Sequence, residues 1–129
     1  MSWQTAAVPP AFDVLAPDGS EIRLLVQVAG GSLVHCTLPP GGVTHAVQHR
    51  TVEEVWFCLA GSGQLWRSAE DVEDVTDLVP GVAVSLPLGT RFQFRANGTQ
   101  PLEVVITTLP PWPGPGEAFP VAGHWTPSV

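Results

Sequence analysis

The chain has 129 residues, enough to bury one hydrophobic core and form one domain. Five Lys and Arg against twelve Asp and Glu leave a net charge of −7, which repels phosphate backbones and anionic lipid heads and argues against nucleic acid or a membrane surface as a partner. The start, MSWQTAAVPP, has no basic region leading into an apolar run, and no stretch approaches the roughly 20 apolar residues of a spanning helix, so a cytoplasmic protein is expected.

Fourteen Pro and 13 Gly punctuate the sequence, and the apolar residues between them recur in short runs, the pattern of an all-β domain. Residues 1–15 are proline-containing yet carry Trp3 and Phe12, so they are expected to pack as an arm along the domain or a partner subunit. A PDGS turn leads into EIRLLVQV, residues 21–28, whose alternation puts Ile22, Leu24, Val26 and Val28 on one face before a Gly30-Gly31 hairpin. Strand-like runs follow at 32–38, 44–49, 52–59, 64–67, 82–86, 91–95 and 102–109, separated by PPGG, AGSG, VPG, PLGT and ANGT turn signals, as in a sandwich or small barrel. The acidic stretch AEDVEDVTD, 69–77, reads as solvated carboxylates on an exposed hairpin rather than a cation site. Residues 110–129 carry Trp112, Phe119 and Trp125 and are expected to form a second packing arm. Cys36 and Cys58 lack CxxC spacing and read as buried free thiols.

Two spaced motifs carry a resemblance. Gly41, His49, Glu54 and Gly61 match the first motif of the cupin superfamily over 41–61, and Gly81, Pro87 and Gly89 match the second over 81–97. The chain is also similar to small single-domain bacterial cupins with AVxHxTVEE, PLGTxFQFR and PPWPG motifs, over residues 33–125. The resemblance implies one cupin-type antiparallel β-barrel, or jelly roll, spanning 1–129. It departs from the family at two ligand places, where the motifs' histidines are Val47 and Phe92, and Ala96 fills the asparagine place beside Asn97.

A family His-x-His pair lies about 6.6 Å apart along one strand face and can converge on one ion. His45 and His49 are four residues apart, or about 13 Å on an undistorted strand, and meet at one ion only if the strand bends or bulges. Two retained ligand places, His49 and Glu54, are too few for a tight divalent site, so no tightly bound metal is expected. A divalent transition metal would need His45, His35 or Gln93 as a recruit.

Alternation from Glu54 places Trp56 and Cys58 inward, facing Phe92 and Phe94; with Val47 they make an apolar, aromatic small-molecule pocket, and Arg91 at its turn is a candidate for an anionic substrate group. Within it His49 and Glu54 are expected to share a proton, with His45 near the barrel mouth, giving proton-transfer chemistry of the isomerase, lyase or cyclase type. Two alternatives stand beside this reading: a metal-dependent dioxygenase or isomerase with His49 and Glu54 as ligands, and a non-catalytic small-molecule binding barrel. Glu53 reads as an outward surface charge, Arg95 as a partner for an acidic neighbour or second subunit, and His124 as structural or exposed. The aromatic arms and the resemblance together imply a homodimer that exchanges edge strands.

Overall fold

The computed structural model describes all 129 residues and contains eleven strands: β1 (Val14–Leu15), β2 (Glu21–Val28), β3 (Gly31–Leu38), β4 (Val47–His49), β5 (Glu53–Ala60), β6 (Gly63–Ala69), β7 (Val72–Leu78), β8 (Ala83–Leu86), β9 (Arg91–Ala96), β10 (Leu102–Leu109) and β11 (Ala118–Pro120). They pair antiparallel into a six-stranded sheet, β1-β2-β3-β10-β5-β8, and a five-stranded sheet, β11-β4-β9-β6-β7. No helix is long and apolar enough to cross a membrane. The core fills the space between the sheets with Leu38, Trp56, Cys58, Leu65, Phe94 and Val104 among others.

Side-chain alternation decides which residues enter that core. On β5, Glu54, Trp56 and Cys58 are buried while Glu53, Val55, Phe57 and Leu59 are exposed, and β10 repeats the period with Leu102, Val104, Ile106 and Thr108 inward. Turn chemistry sets the register. Val79-Pro80-Gly81-Val82 closes with a Val82 N–H to Val79 carbonyl bond of 3.1 Å, and Gly81 has φ +94°, the arrangement of a type II turn. Gly61, at φ +78°, has no room for a Cβ, which would collide with the Pro101 carbonyl.

Three irregularities break the regular pairing, one of them between Glu103 and Val104 where β10 meets β5, and the other two bear on the expected strands. The β2–β3 register shifts between Leu24 and Val26, so Ile22 and Leu24 pair with Cys36 and Val34 whereas Val26 pairs with Leu33. The four β2 residues expected on one face are therefore divided between two, and Val28 is exposed. The second irregularity precedes β4. Val43 bridges Arg95 and Val47 pairs with Phe92, so four steps on one strand oppose three on the other. The strand expected over 44–49 is regular only from Val47 to His49, because Thr44 bonds Phe94 and the His45 N–H turns to the Asp18 carbonyl.

The acidic stretch lies on an exposed hairpin as expected: β6 and β7 pair through the turn at Glu70 and Asp71, and the second arm of the hairpin is the regular strand β7. It lies at the edge of the five-stranded sheet, where Asp74 pairs with Arg67 at 3.0 Å and Glu73 accepts the Trp66 indole N–H at 2.6 Å. Charged side chains on such an edge discourage pairing with another chain.

The C-terminal segment crosses the outer face of the same sheet. Gln93, which points out of the barrel, donates to the Thr44 and Trp125 carbonyls and accepts from the His124 and Trp125 N–H groups. His124 stacks on Trp66, and the Arg95 guanidinium lies 4.3 Å from the Trp125 ring centroid. Residues 1–12 touch the body at few points: Arg23 donates to the Pro9 and Pro10 carbonyls, and Gln4 accepts the Gln27 N–H.

Candidate functional site

A cavity of about 150 Å³ opens between the sheets, lined on one side by β1, the Ala16–Ser20 turn and β2, and on the others by β4, β5, β9, β10 and Trp112. Its walls are mainly apolar and aromatic: Val47, Trp56, Phe92, Ile106 and Trp112 contribute, and His49, Glu54, Asp18, Ser20 and Thr108 are the polar groups among them. The size is on the scale of an apolar cavity that takes a benzene-sized guest.

Glu54 enters this cavity from β5 because its strand position faces inward, opposite Thr108 on β10. Its carboxyl accepts the Trp56 indole N–H at 3.0 Å and the Thr108 hydroxyl at 3.3 Å. Burial pushes its pKa from 4.5 to about 7; the Trp56 and Thr108 bonds oppose the rise, and the nearby Asp18 charge adds to it. Glu54 is thus a carboxyl divided between its acid and carboxylate forms near neutral pH.

His49 lines the same cavity from β4. Its ring is held edge-on against Phe92 and Trp112, with both centroid separations 5.2 Å. Burial lowers its pKa from 6.5 to about 4, against a raising influence from Glu117. The imidazole is neutral at pH 7. The expected proton sharing between His49 and Glu54 is not what the structure shows: Glu54 bonds Trp56 and Thr108, and the His49 ring makes no hydrogen bond to it. Both groups line one cavity, from separate strands and without a hydrogen bond between them.

The other expected site residues divide between the cavity and elsewhere. Val47, Trp56 and Phe92 line it. Cys58 and Phe94 point inward as alternation requires, yet they sit deeper in the core beyond the cavity wall. Arg91 faces the opposite side of β9 and donates to the Ser68 hydroxyl at 3.2 Å, so it does not reach a ligand in the cavity. His45 is exposed and bonds the Val129 main-chain oxygen at 2.9 Å, because the irregularity before β4 reverses its parity. His35 lies on the outer face of the six-stranded sheet, 3.0 Å from Glu103. Arg95 bonds Gln64 and stacks on Trp125 in place of an acidic partner.

Asp18 and Trp112 are cavity residues that the sequence reading did not select. Asp18 belongs to the PDGS turn, whose Asx geometry is legible: Oδ1 accepts the Ser20 N–H at 2.9 Å and hydroxyl at 2.7 Å. Nothing local reveals that this turn folds onto the barrel mouth. Burial raises the Asp18 pKa, opposed by the two Ser20 bonds and by His45. Glu117 is a further buried acid, but it is fully engaged: it accepts the Arg50 and Thr51 N–H groups and the Thr51 hydroxyl, anchoring the β4–β5 turn.

The four family ligand places can be tested as a donor set. Val47 and Phe92 are direct cross-strand partners, so two of the places form one apolar contact. The recruits that could replace them, His45, His35 and Gln93, all lie outside the cavity. No group of three or more His, Cys, Asp or Glu side chains is placed to hold an ion. The residues present do not fit a tight divalent site.

A closed pair of antiparallel sheets around an internal pocket, with motif glycines at its turns, defines the β-barrel class to which this chain conforms. Residues 34–108 match the cupin domain family (Cupin_2), and the chain belongs to that family. Solved structures agree at the level of fold. An uncharacterised conserved protein with a double-stranded β-helix domain from Klebsiella pneumoniae superposes with TM-score 0.71 at 14% identity, covering 95% of this chain and 100% of that one. KdgF from a Halomonas species gives 0.64 at 19%, covering 77% and 86%. An oxalate decarboxylase OxdC mutant from Bacillus subtilis gives 0.76 at 16%, covering 94% of this chain and 33% of that one.

Proposed function

We propose that the cavity is a small-molecule active site in which Glu54 carries a proton to or from the substrate, without a tightly bound metal. The observation that carries this reading is the position of Glu54: a buried carboxyl on the wall of an apolar, aromatic cavity, held by two side-chain donors and balanced near neutrality. A general acid or base works best when its pKa lies near the working pH, and such a group typically contributes about 10² to 10⁴ in rate. The aromatic walls exclude water from the transfer, and neutral His49 offers a ring nitrogen to hydrogen-bond a substrate without adding charge. The reactions this suits are isomerisation, elimination, cyclisation and decarboxylation.

Screening those four reaction classes with wild type and Glu54→Gln tests the reading. Turnover that disappears in Glu54→Gln, with a wild-type rate inflection near pH 7, is the expected result. Turnover that survives the substitution contradicts it, and ligand binding that is insensitive to it points to a non-catalytic barrel.

The same reading takes the protein as a cytoplasmic homodimer. Its two buried cysteines are unpaired, in keeping with a reducing compartment. Trp3 is 90% exposed on the N-terminal arm, and Val55, Phe57 and Leu59 form an apolar row on the outside of the six-stranded sheet, surface that a second copy would cover. Sedimentation at micromolar concentration should show twice the chain mass, and a monomer there contradicts the proposal.

A further inference from the structure

We infer that the ligand of this cavity carries a small organic ammonium group, seated between the Asp18 and Glu54 carboxyls and the rings of Trp56, Phe92 and Trp112. The inference rests on the reading of the cavity as the small-molecule site and names the chemical class of its occupant.

The charge pattern of the walls is one-sided. Two acids line the cavity, and none of its 18 lining residues is Lys or Arg. Asp18 is only 7% exposed; its Oδ1 is occupied by Ser20, while Oδ2 has no protein partner. His45, which is exposed and outside the cavity, is the one basic group that acts on Asp18, so within the cavity the carboxyl either takes up a proton or is met by a cation of the ligand. His49 does not pair with either acid: its ring is held edge-on against Phe92 and Trp112 and makes no hydrogen bond to Asp18 or Glu54.

The form of the missing cation follows from the rings. Trp56 and Phe92 meet edge to face with centroids 5.8 Å apart, and Trp112 stands beyond His49 on the same cavity. Aromatic faces attract ammonium groups, most strongly when water is excluded. A compact metal ion needs several converging donors, and no such cluster is present. An alkylammonium, whose charge is spread over its CH groups, matches a wall that is mostly hydrocarbon with acids at two points. In the catalytic reading Asp18 then anchors the ligand's charge and leaves Glu54 to move the proton.

Isothermal titration of the full-length, tag-free protein at pH 8 with choline and its neutral carbon isostere, 3,3-dimethylbutan-1-ol, tests this. Choline should bind at least about tenfold more tightly, a preference of 1.4 kcal/mol. Asp18→Asn should bring the two within about twofold, and Glu54→Gln, which spares the Ser20 turn, should narrow the gap if the Asp18 variant fails to fold. Equal affinity for the two probes, binding of neither, or zinc that displaces choline would each overturn the inference. The Glu54 titration in the ligand-free protein is read independently, so the proton-transfer proposal can survive a failure here.

Discussion

Trp56 donates its indole N–H to the Glu54 carboxyl at 3.0 Å, and the two residues are neighbours on the inward face of β5. The bond follows from strand period: residues two apart share a face, and here that face looks into a cavity. It favours the carboxylate, whereas burial favours the acid, and burial is the larger influence. This opposition gives the site a carboxyl that both accepts and releases a proton near neutral pH.

Stability should depend on pH in opposite directions through Glu54 and His49. Glu54 titrates near 7 when folded against an ordinary 4.5, so the folded chain binds the extra proton and loses stability as pH rises through that window. His49 titrates near 4 against 6.5, so its contribution is present above 6.5 and lost as pH falls toward 4. Between 4.5 and 6.5 the two slopes offset one another. Urea unfolding should therefore find Glu54→Gln more stable than wild type at pH 8 by about 1–3 kcal/mol. The two proteins should converge near pH 4.5. Equal stability at pH 8 contradicts the burial argument.

Restoring the family donors should create a metal site. Val47 and Phe92 face each other across β4 and β9, and His49 and Glu54 line the same cavity. The double variant V47H/F92H should take up close to one equivalent of zinc or nickel, measured by elemental analysis of tag-free protein, and wild type much less. Equal, near-stoichiometric metal in both would contradict the account of the donor set.

How far the sequence reached can be judged along β4 and β5. Glu54, Trp56 and Cys58 were legible as inward because β5 is an unbroken alternation, and the spaced glycines and Pro87 pointed to the barrel. His45 was misplaced because a one-residue irregularity inverts parity without leaving a mark in composition. The exposed hairpin at 69–77 was legible, but the regular strand β7 in its second arm was not, because Asp and Glu are depleted in strands although an edge position tolerates them. The cavity positions of Asp18 and Trp112 and the arm-anchoring role of Gln93 escaped for a common reason: each depends on a contact between segments distant in the chain.

Trp112→Ala should rehydrate His49. The indole covers one side of the imidazole, and burial is the main cause of its low pKa. An NMR titration of the His49 ring should show the midpoint climbing from about 4 toward 6.5 in the variant. An unchanged midpoint would mean that Phe92 and the strands alone exclude water there.

Gln93→Ala should release the C-terminal arm. Four hydrogen bonds converge on this amide, and their loss should cost about 2–4 kcal/mol. Thermal unfolding should show the drop, and limited proteolysis should cut faster within residues 121–129. A variant as resistant as wild type would assign the arm's hold to His124 and Trp125 stacking instead.

The central claim is that Glu54 is a proton carrier in a dry pocket, and its most direct test is a site-resolved ¹³C NMR titration of the Glu54 carboxyl in ligand-free protein. A midpoint near 7, with the signal assigned by its absence in Glu54→Gln, is the expected result. A midpoint near the ordinary 4.5 would show a hydrated carboxylate and contradict the account.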